Sequence, residues 1–115
     1  MKIYVVFIFS FLLLSCKSIV TSPSLNHPPV IEKIEVEPFT IRVYQSATIT
    51  AYASDPDGDD LTFEWEATLG YIYGSDRVVR YSASGCCTGS NIIKLTVKDN
   101  RGGSTTGTAM VTVLP

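Results

Sequence analysis

The chain contains little charge, one histidine and no apolar run long enough to cross a membrane. Only 17% of its 115 residues are charged, with nine Lys and Arg against eleven Asp and Glu. A mildly acidic chain without a basic stripe excludes nucleic acid as a partner class. One His among few acids is a poor basis for a catalytic centre, so we predict a protein that is not an enzyme. A chain of this length holds one domain at most.

The N-terminus has the pattern of an export signal. Lys2 is followed by an apolar stretch of about twelve residues, which fits a secretory signal and is too short to span a bilayer. The segment 13–16, Leu-Leu-Ser-Cys, resembles the bacterial lipobox, in which a small residue precedes an obligatory cysteine. The resemblance implies that residues 1–15 are a lipoprotein signal peptide and that Cys16 receives a diacylglycerol thioether. The alternative is a signal or short anchor with an accidental cysteine.

Lipidation of Cys16 predicts that the mature protein stays on a membrane, because two or more acyl chains anchor firmly. Lys17 stands where an Asp would suggest inner-membrane retention in many Gram-negative lipoproteins. We therefore expect a place in the bacterial cell envelope, with the outer membrane favoured. Residues 16–29, the lipidated Cys and the segment after it, are predicted to be a flexible tether because Ser, Thr and Pro dominate there.

From Val30 onward the apolar pattern is that of β-strands. Period-two segments are separated by clusters of Gly, Asp, Asn and Ser, and no helical apolar period follows Cys16. The seven segments are 34–37, 39–44, 49–53, 61–66, 79–81, 93–98 and 109–113. Residues 30–115 are therefore predicted to form an all-β, seven-stranded antiparallel β-sandwich.

Several of the turns carry a more specific pattern. The runs Asn26–Ile31, Ala53–Asp59, Phe63–Trp65 and Leu95–Asn100, the last followed by two glycines, resemble the PKD (polycystic kidney disease) family and related Ig-like and cadherin-like repeats. The resemblance covers residues 26–114. It implies a seven-stranded fold used as a spacer, adhesion or ligand-binding module, usually without catalysis. The Phe-Gly-Asp-Gly that usually follows the Trp is absent here.

Strand directions predict which loops share an end of the sandwich. If strands alternate in direction, loops 54–60 and 99–103 lie at the end where the tether joins the domain. Loop 82–90, the turn near Pro38 and the C-terminus then lie at the other end. We expect the acidic loops to face the membrane and loop 82–90 to project outward.

The two acidic loops supply hard oxygen ligands at alternate positions, which suits calcium. The candidate ligands are Asp55, Asp57, Asp59, Asp99 and Asn100. The competing interpretation is turn chemistry, because Asp, Pro and Gly favour tight turns and bond their own backbone. The spacing is not that of an EF-hand, and no cofactor other than calcium is predicted.

Cys86 and Cys87 are adjacent, and their number is even once Cys16 is lipidated. Neighbouring Cα atoms lie about 3.8 Å apart, below the usual disulfide range. Three interpretations stay open: a vicinal disulfide that stiffens the loop, pairing with a partner thiol, or reduced thiols at the loop base. Catalytic redox sites normally use Cys-x-x-Cys, so an oxidoreductase is disfavoured.

Aromatic and charged side chains on the predicted strands complete the candidates. Tyr71 and Tyr73 share one face and are a possible ligand face for a glycan or peptide, although an ordinary hairpin explains them too. Trp65 is expected in the core. Alternation places Glu64 and Glu66 on a solvated strand face, and Arg77 and Arg80 are expected to pair with surface carboxylates.

These features predict a lipid-anchored bacterial envelope protein with a non-catalytic Ig-like binding or structural module. Its partners would be the membrane, through the anchor, and an envelope protein or glycan. One alternative is a calcium-dependent adhesin-like or carbohydrate-binding module. A second is a thiol-active envelope protein that uses Cys86 and Cys87.

Overall fold

Eight strands form in residues 25–115, the part of the chain that the computed structural model describes. They are β1 (Val30–Glu37), β2 (Thr40–Arg42), β3 (Ser46–Ser54), β4 (Leu61–Ala67), β5 (Tyr71–Tyr73), β6 (Val78–Ser82), β7 (Gly89–Asp99) and β8 (Ser104–Leu114). The all-β prediction is confirmed, with eight strands rather than seven. The additional strand is β5, whose three residues are too few to show a convincing alternation. Cys16 and the signal segment lie outside the described residues.

The strands form two four-stranded sheets, in the orders β1-β3-β6-β5 and β2-β8-β7-β4. Every pair of neighbours is antiparallel except β2 and β8, which run parallel from Thr40 opposite Thr112 to Arg42 opposite Leu114. This parallel pair arises because the chain changes sheets at Pro38 and Phe39, between β1 and β2. Pro has no N–H to donate, which suits a break between strands.

The core lies between the sheets and follows from the period-two pattern. Inward residues of both sheets pack in two clusters along the sandwich. One contains Ile41, Ala47, Ile49, Val79, Tyr81, Ala83, Ile93, Val111 and Val113, and the other Ala51, Ala53, Phe63, Leu95 and Val97. Trp65 is half-buried and packs against both clusters, as expected, and its indole N–H donates to the Asp76 carbonyl at 2.9 Å.

The sandwich has two chemically different ends, as the strand directions predicted. At the acidic end, loops 55–60 and 100–103 meet the segment Asn26–Pro29, which precedes β1 and is called the lead-in segment below. At the distal end lie the 38–39 turn, residues 43–45, the 68–70 turn, loop 83–88 and the C-terminus. Among residues 25–115, no helix is long and apolar enough to cross a membrane.

The lead-in segment belongs to the folded unit. Pro29 is buried, and its carbonyl accepts a hydrogen bond from the Thr105 hydroxyl of β8. Asn26 and His27 also bond to aspartates of the acidic loops. These contacts extend the domain four residues N-terminal to the predicted boundary at residue 30.

Candidate functional site

Three carboxylates, which we call the carboxylate cluster, converge at the acidic end. One oxygen from each of Asp55, Asp59 and Asp99 lies within 4.8 Å of the others. Asp55 and Asp59 come from the turn after β3, where the Gly58 N–H donates to the Asp55 carbonyl and the Asp59 N–H donates to Asp55 Oδ2. Gly58 has φ +74°, a conformation that glycine adopts without steric cost. This local turn chemistry therefore places both side chains on one side of the loop.

Asp99 ends β7 and is almost fully buried, with 7% of its surface exposed. Its Oδ1 accepts the N–H groups of Arg101 and Gly103, and its Oδ2 accepts the Asn26 side-chain amide at 2.9 Å. The Asn26 bond is the main cause that lowers the pKa of Asp99, and the two backbone bonds add to it. Asp99 therefore fixes its own turn and attaches the lead-in segment to it.

Asp57 is not part of the carboxylate cluster and bonds to the lead-in segment instead. Its carboxylate accepts the His27 backbone N–H at 2.6 Å and lies 3.0 Å from His27 Nδ1. The backbone hydrogen bond from His27 is the largest cause that lowers the pKa of Asp57. Asn100 is exposed in the following turn. Of the four aspartates among the predicted calcium ligands, the structure brings Asp55, Asp59 and Asp99 together.

Some buried polar atoms in and beside the carboxylate cluster lack a partner among residues 25–115. They are Asp55 Oδ1, Asp59 Oδ2 and Asn26 Oδ1, which accept no hydrogen bond from the described part of the chain. Burial, and then the Asp55 charge, raise the pKa of Asp59, since no close donor stabilises its ionised form. Among residues 25–115, Arg101 supplies the cation paired with Asp59, with Nη1 3.8 Å from Asp59 Oδ2 and too far for a hydrogen bond. A hard cation fits this oxygen set. Asn26, which the sequence predicts to lie in the tether, is a further ligand candidate.

The distal end holds the cysteine pair. The structure brings the sulfurs of Cys86 and Cys87 together in the arrangement of a vicinal disulfide, with Cα atoms 3.7 Å apart. Cys86 is exposed, whereas Cys87 is completely buried. The Ser84 hydroxyl contacts both sulfurs, at 2.8 Å from Cys86 and 3.5 Å from Cys87.

An aromatic face lies on the outer surface of the β1-β3-β6-β5 sheet. Tyr71 and Tyr73 of β5 project from it together, 59% and 52% exposed. The Arg80 guanidinium lies 5.2 Å from the Tyr73 ring centroid, and Val78 is exposed beside Arg80 on β6. We call Tyr71, Tyr73, Val78 and Arg80 the aromatic face. The sequence does not place Arg80 on this face, because a local pattern does not specify the cross-strand register.

The expectation that the arginines pair with carboxylates was wrong. Within residues 25–115, neither Arg77 nor Arg80 lies within ion-pair distance of a carboxylate. Arg77 instead donates to the Ala53 carbonyl at 2.9 Å, and its guanidinium lies 5.0 Å from the Phe63 ring centroid. An arginine that lies over an aromatic ring gains a cation–π contact, whereas a solvent-exposed ion pair with a carboxylate contributes little to stability.

Glu64 and Glu66 lie on the outer face of the other sheet. Glu64 pairs with Lys98 at 2.9 Å and Glu66 with Lys94 at 3.7 Å. The four side chains are all about half exposed or more, so these pairs are cross-strand surface contacts. This arrangement agrees with the solvated strand face predicted for the two glutamates.

Comparisons with known proteins agree with this architecture. A sequence profile described as Bacterial Ig domain matches residues 26–112. Among curated proteins, no sequence matches the chain. The PKD domain of an M14-like peptidase from Thermoplasmatales archaeon SCGC AB-540-F20 superposes with a TM-score of 0.66 at 20% identity, covering 79% of this chain and 100% of that one. The PKD1 domain of Vibrio anguillarum Epp gives 0.61 at 24% identity, with the same coverage.

A larger protein also contains a similar unit. A nucleoside hydrolase-related hypothetical protein from Saccharophagus degradans, described as associated with carbohydrate metabolism, superposes with a TM-score of 0.64 at 21% identity. The match covers 76% of this chain but 26% of that one, so the present chain spans about a quarter of that protein's length. At these identities the solved structures support the fold alone.

Proposed function

This chain belongs to the bacterial Ig domain family, and from that premise we propose that it is a lipid-anchored envelope protein with a non-catalytic binding or spacing module. The fold supports a structural or binding role. Two of its structural neighbours are PKD domains, one of them from a larger peptidase, which is how an accessory module would occur.

The observation that carries the proposal is the attachment of the lead-in segment to the acidic end. Asn26 and His27 are bonded to Asp99 and Asp57, so the chain that leads back to Cys16 leaves the domain at that end. Residues 17–25 reach at most about 30 Å when extended. A lipid on Cys16 would therefore hold the acidic end near the membrane and direct the distal end away from it.

Fractionation of bacterial cells tests the anchor. Wild-type protein should sediment with membranes and dissolve in detergent, whereas Cys16→Ala should not, because it lacks the thiol that accepts the lipid. Ser18→Ala serves as a control that preserves the cysteine and should fractionate like wild type. Equal membrane association of Cys16→Ala and wild type would contradict the lipid anchor.

The aromatic face is the surface that we propose for ligand recognition, with a glycan as the ligand class. Sugar rings stack on exposed aromatic side chains. Tyr73 lies opposite Arg80 in the sheet, and the Arg80 guanidinium lies over the Tyr73 ring, 5.2 Å from its centroid. Co-sedimentation with purified cell-wall polysaccharide tests this role. Tyr73→Ala should weaken binding, while Glu64→Ala, on the opposite sheet, should not. Equal binding by both variants would count against this face.

Calcium binding at the acidic end is the second function that we propose. It is favoured by the unpartnered oxygens of Asp55, Asp59 and Asn26 beside Asp99. Calcium accepts six to eight oxygens in flexible geometry, and a bound ion would neutralise the carboxylates and hold the lead-in segment to the turns. No reaction step is implied.

Thermal melting tests the calcium proposal. Calcium at millimolar concentration should raise the Tm relative to a chelator, since a ligand that binds only the folded state stabilises it. Asp55→Asn should reduce this shift. Asp60 is exposed and is not part of the carboxylate cluster, so Asp60→Asn should retain the shift. An unchanged wild-type Tm in calcium would contradict the proposal.

A further inference from the structure

The cysteine pair at the distal end is asymmetric in its access to solvent. Cys86 is exposed and lies at the tip of loop 83–88, whereas Cys87 has 0% of its surface exposed. A reagent from solution can therefore reach the sulfur of Cys86 and not that of Cys87. This difference between adjacent sulfurs fixes which one an incoming group meets first.

The loop that carries the pair is held by bonds that do not involve sulfur. The Tyr44 N–H donates to the Ala83 carbonyl at 2.8 Å, and the Ala83 N–H donates to the Gln45 carbonyl at 3.0 Å. The buried Asn91 side chain donates to the Cys87 carbonyl at 2.9 Å. These contacts hold both ends of the loop, so we expect the two sulfurs to stay close together when they are not bonded to each other.

We propose that Cys86 and Cys87 form a thiol–disulfide exchange site whose substrate is an external thiol. The thiolate of that thiol attacks Cys86 Sγ in line with the bond to Cys87 Sγ. A new sulfur–sulfur bond forms at Cys86, the bond between the two cysteines breaks, and its electron pair leaves on Cys87 Sγ, which then takes up a proton. The reverse attack by Cys87 releases the external thiol and restores the pair, so no further oxidant is consumed.

Ser84 is placed to assist this exchange. Its hydroxyl lies 2.8 Å from Cys86 Sγ and 3.5 Å from Cys87 Sγ, so it can donate to the sulfur that leaves. A thiolate that forms in the buried position of Cys87 loses its solvation by water, and a hydroxyl donor compensates for part of that loss. The site thus contains an accessible electrophilic sulfur, a buried leaving sulfur and a donor beside both.

Equilibration with glutathione tests the proposal. Full-length protein in detergent is incubated at graded ratios of reduced to oxidised glutathione, quenched with acid and mapped by mass spectrometry. The tryptic peptide 81–94 contains both cysteines and excludes Cys16. We expect this peptide to change from dithiol to internal disulfide as the oxidised fraction rises, with the mixed disulfide on Cys86. A peptide that stays a dithiol at every ratio, or an adduct found equally on Cys87, would overturn the proposal.

Single variants separate accessibility from folding. In native protein, iodoacetamide should alkylate Cys87 in the Cys86→Ser variant about tenfold or more slowly than Cys86 in the Cys87→Ser variant, because a buried thiol reacts only after local opening. The difference should vanish in urea. Comparable rates in native protein would contradict the asymmetry. The proposed lipid anchor depends on Cys16 and not on Cys86 or Cys87, so failure of this test would leave that proposal intact.

The role of Ser84 has its own variant and control. Ser84→Ala should slow formation of the glutathione adduct about tenfold, which is the effect of one hydrogen bond to a charged group. Ser90→Ala removes an exposed hydroxyl from the same tryptic peptide and should leave the rate unchanged. Equal rates for the two variants would remove Ser84 from the exchange step.

Discussion

Replacement of Tyr81 by phenylalanine should destabilise the domain by a predictable amount. Tyr81 lies on β6 with 0% of its surface exposed, and its hydroxyl donates to the Leu69 carbonyl at 3.0 Å. Burial raises the pKa of Tyr81, so the hydroxyl stays protonated and available as a donor. The bond joins the core of one sheet to the 68–70 turn that follows β4 of the other sheet.

The magnitude follows from what Tyr81→Phe removes. The ring and its packing remain, and one neutral hydrogen bond is lost, which contributes about 1 kcal/mol net. Leu69 is half exposed, so water can reach part of the turn and limits the further cost of its unpaired carbonyl. We expect a loss of about 1–1.5 kcal/mol. For a domain of about 90 residues this corresponds to a Tm decrease of roughly 4–12 °C.

Thermal and urea unfolding monitored by circular dichroism would measure this loss. Tyr71→Phe is the matched control, because it removes the same atom from a side chain that is 59% exposed, and it should change stability by less than about 0.5 kcal/mol. Equal effects of Tyr81→Phe and Tyr71→Phe would show that the buried hydroxyl does not hold the turn.

Further predictions concern the acidic end and the core. The pKa of both Asp57 and Asp99 is lowered in the folded protein. Their contribution to the free energy of unfolding is therefore present above the ordinary pKa of 3.8 and is lost as the pH falls through the folded pKa. Acid unfolding should therefore begin below about pH 4, and Asp57→Asn should weaken this pH dependence. The pKa of Asp59 is raised, so its ionised carboxylate destabilises the folded state at pH 7. Asp59→Asn should therefore raise the Tm at pH 7 in cation-free buffer and match the wild-type Tm in acid, where Asp59 is protonated. A lower Tm at pH 7 would contradict the unfavourable burial of Asp59 beside the Asp55 charge. Leu95→Ala should cost about 2–5 kcal/mol in urea unfolding, because Leu95 is fully buried, whereas a loss below about 1 kcal/mol would contradict its place in the core.

Most of the fold could be predicted because it depends on local alternation. The inward residues of β7, including Leu95 and Val97, alternate with polar residues, and both are fully buried. Strand β5 was not counted because three residues between Gly70 and Gly74 show no extended period. The parallel pairing of β2 with β8 joins residues far apart in the chain, which no local pattern specifies.

The candidate sites could be predicted in composition but not in arrangement. The acidic loops were predicted to meet, yet the bond of Asn26 to Asp99 spans 73 residues, so the lead-in segment was assigned to the tether. Asp57 has the same residue type and the same loop as Asp55 but bonds to His27 instead. Cys86 and Cys87 are adjacent and of the same residue type, yet Cys86 is exposed and Cys87 is buried. Long-range contacts decide all three cases.

The mass of the mature protein tests the central claim most directly. Protein extracted from bacterial membranes with detergent would be analysed by intact mass spectrometry and N-terminal fragmentation. The account predicts that residues 1–15 are absent and that the chain begins at Cys16, which carries a diacylglycerol group on sulfur. A chain that retains residues 1–15, or one with an unmodified Cys16 thiol, would contradict it.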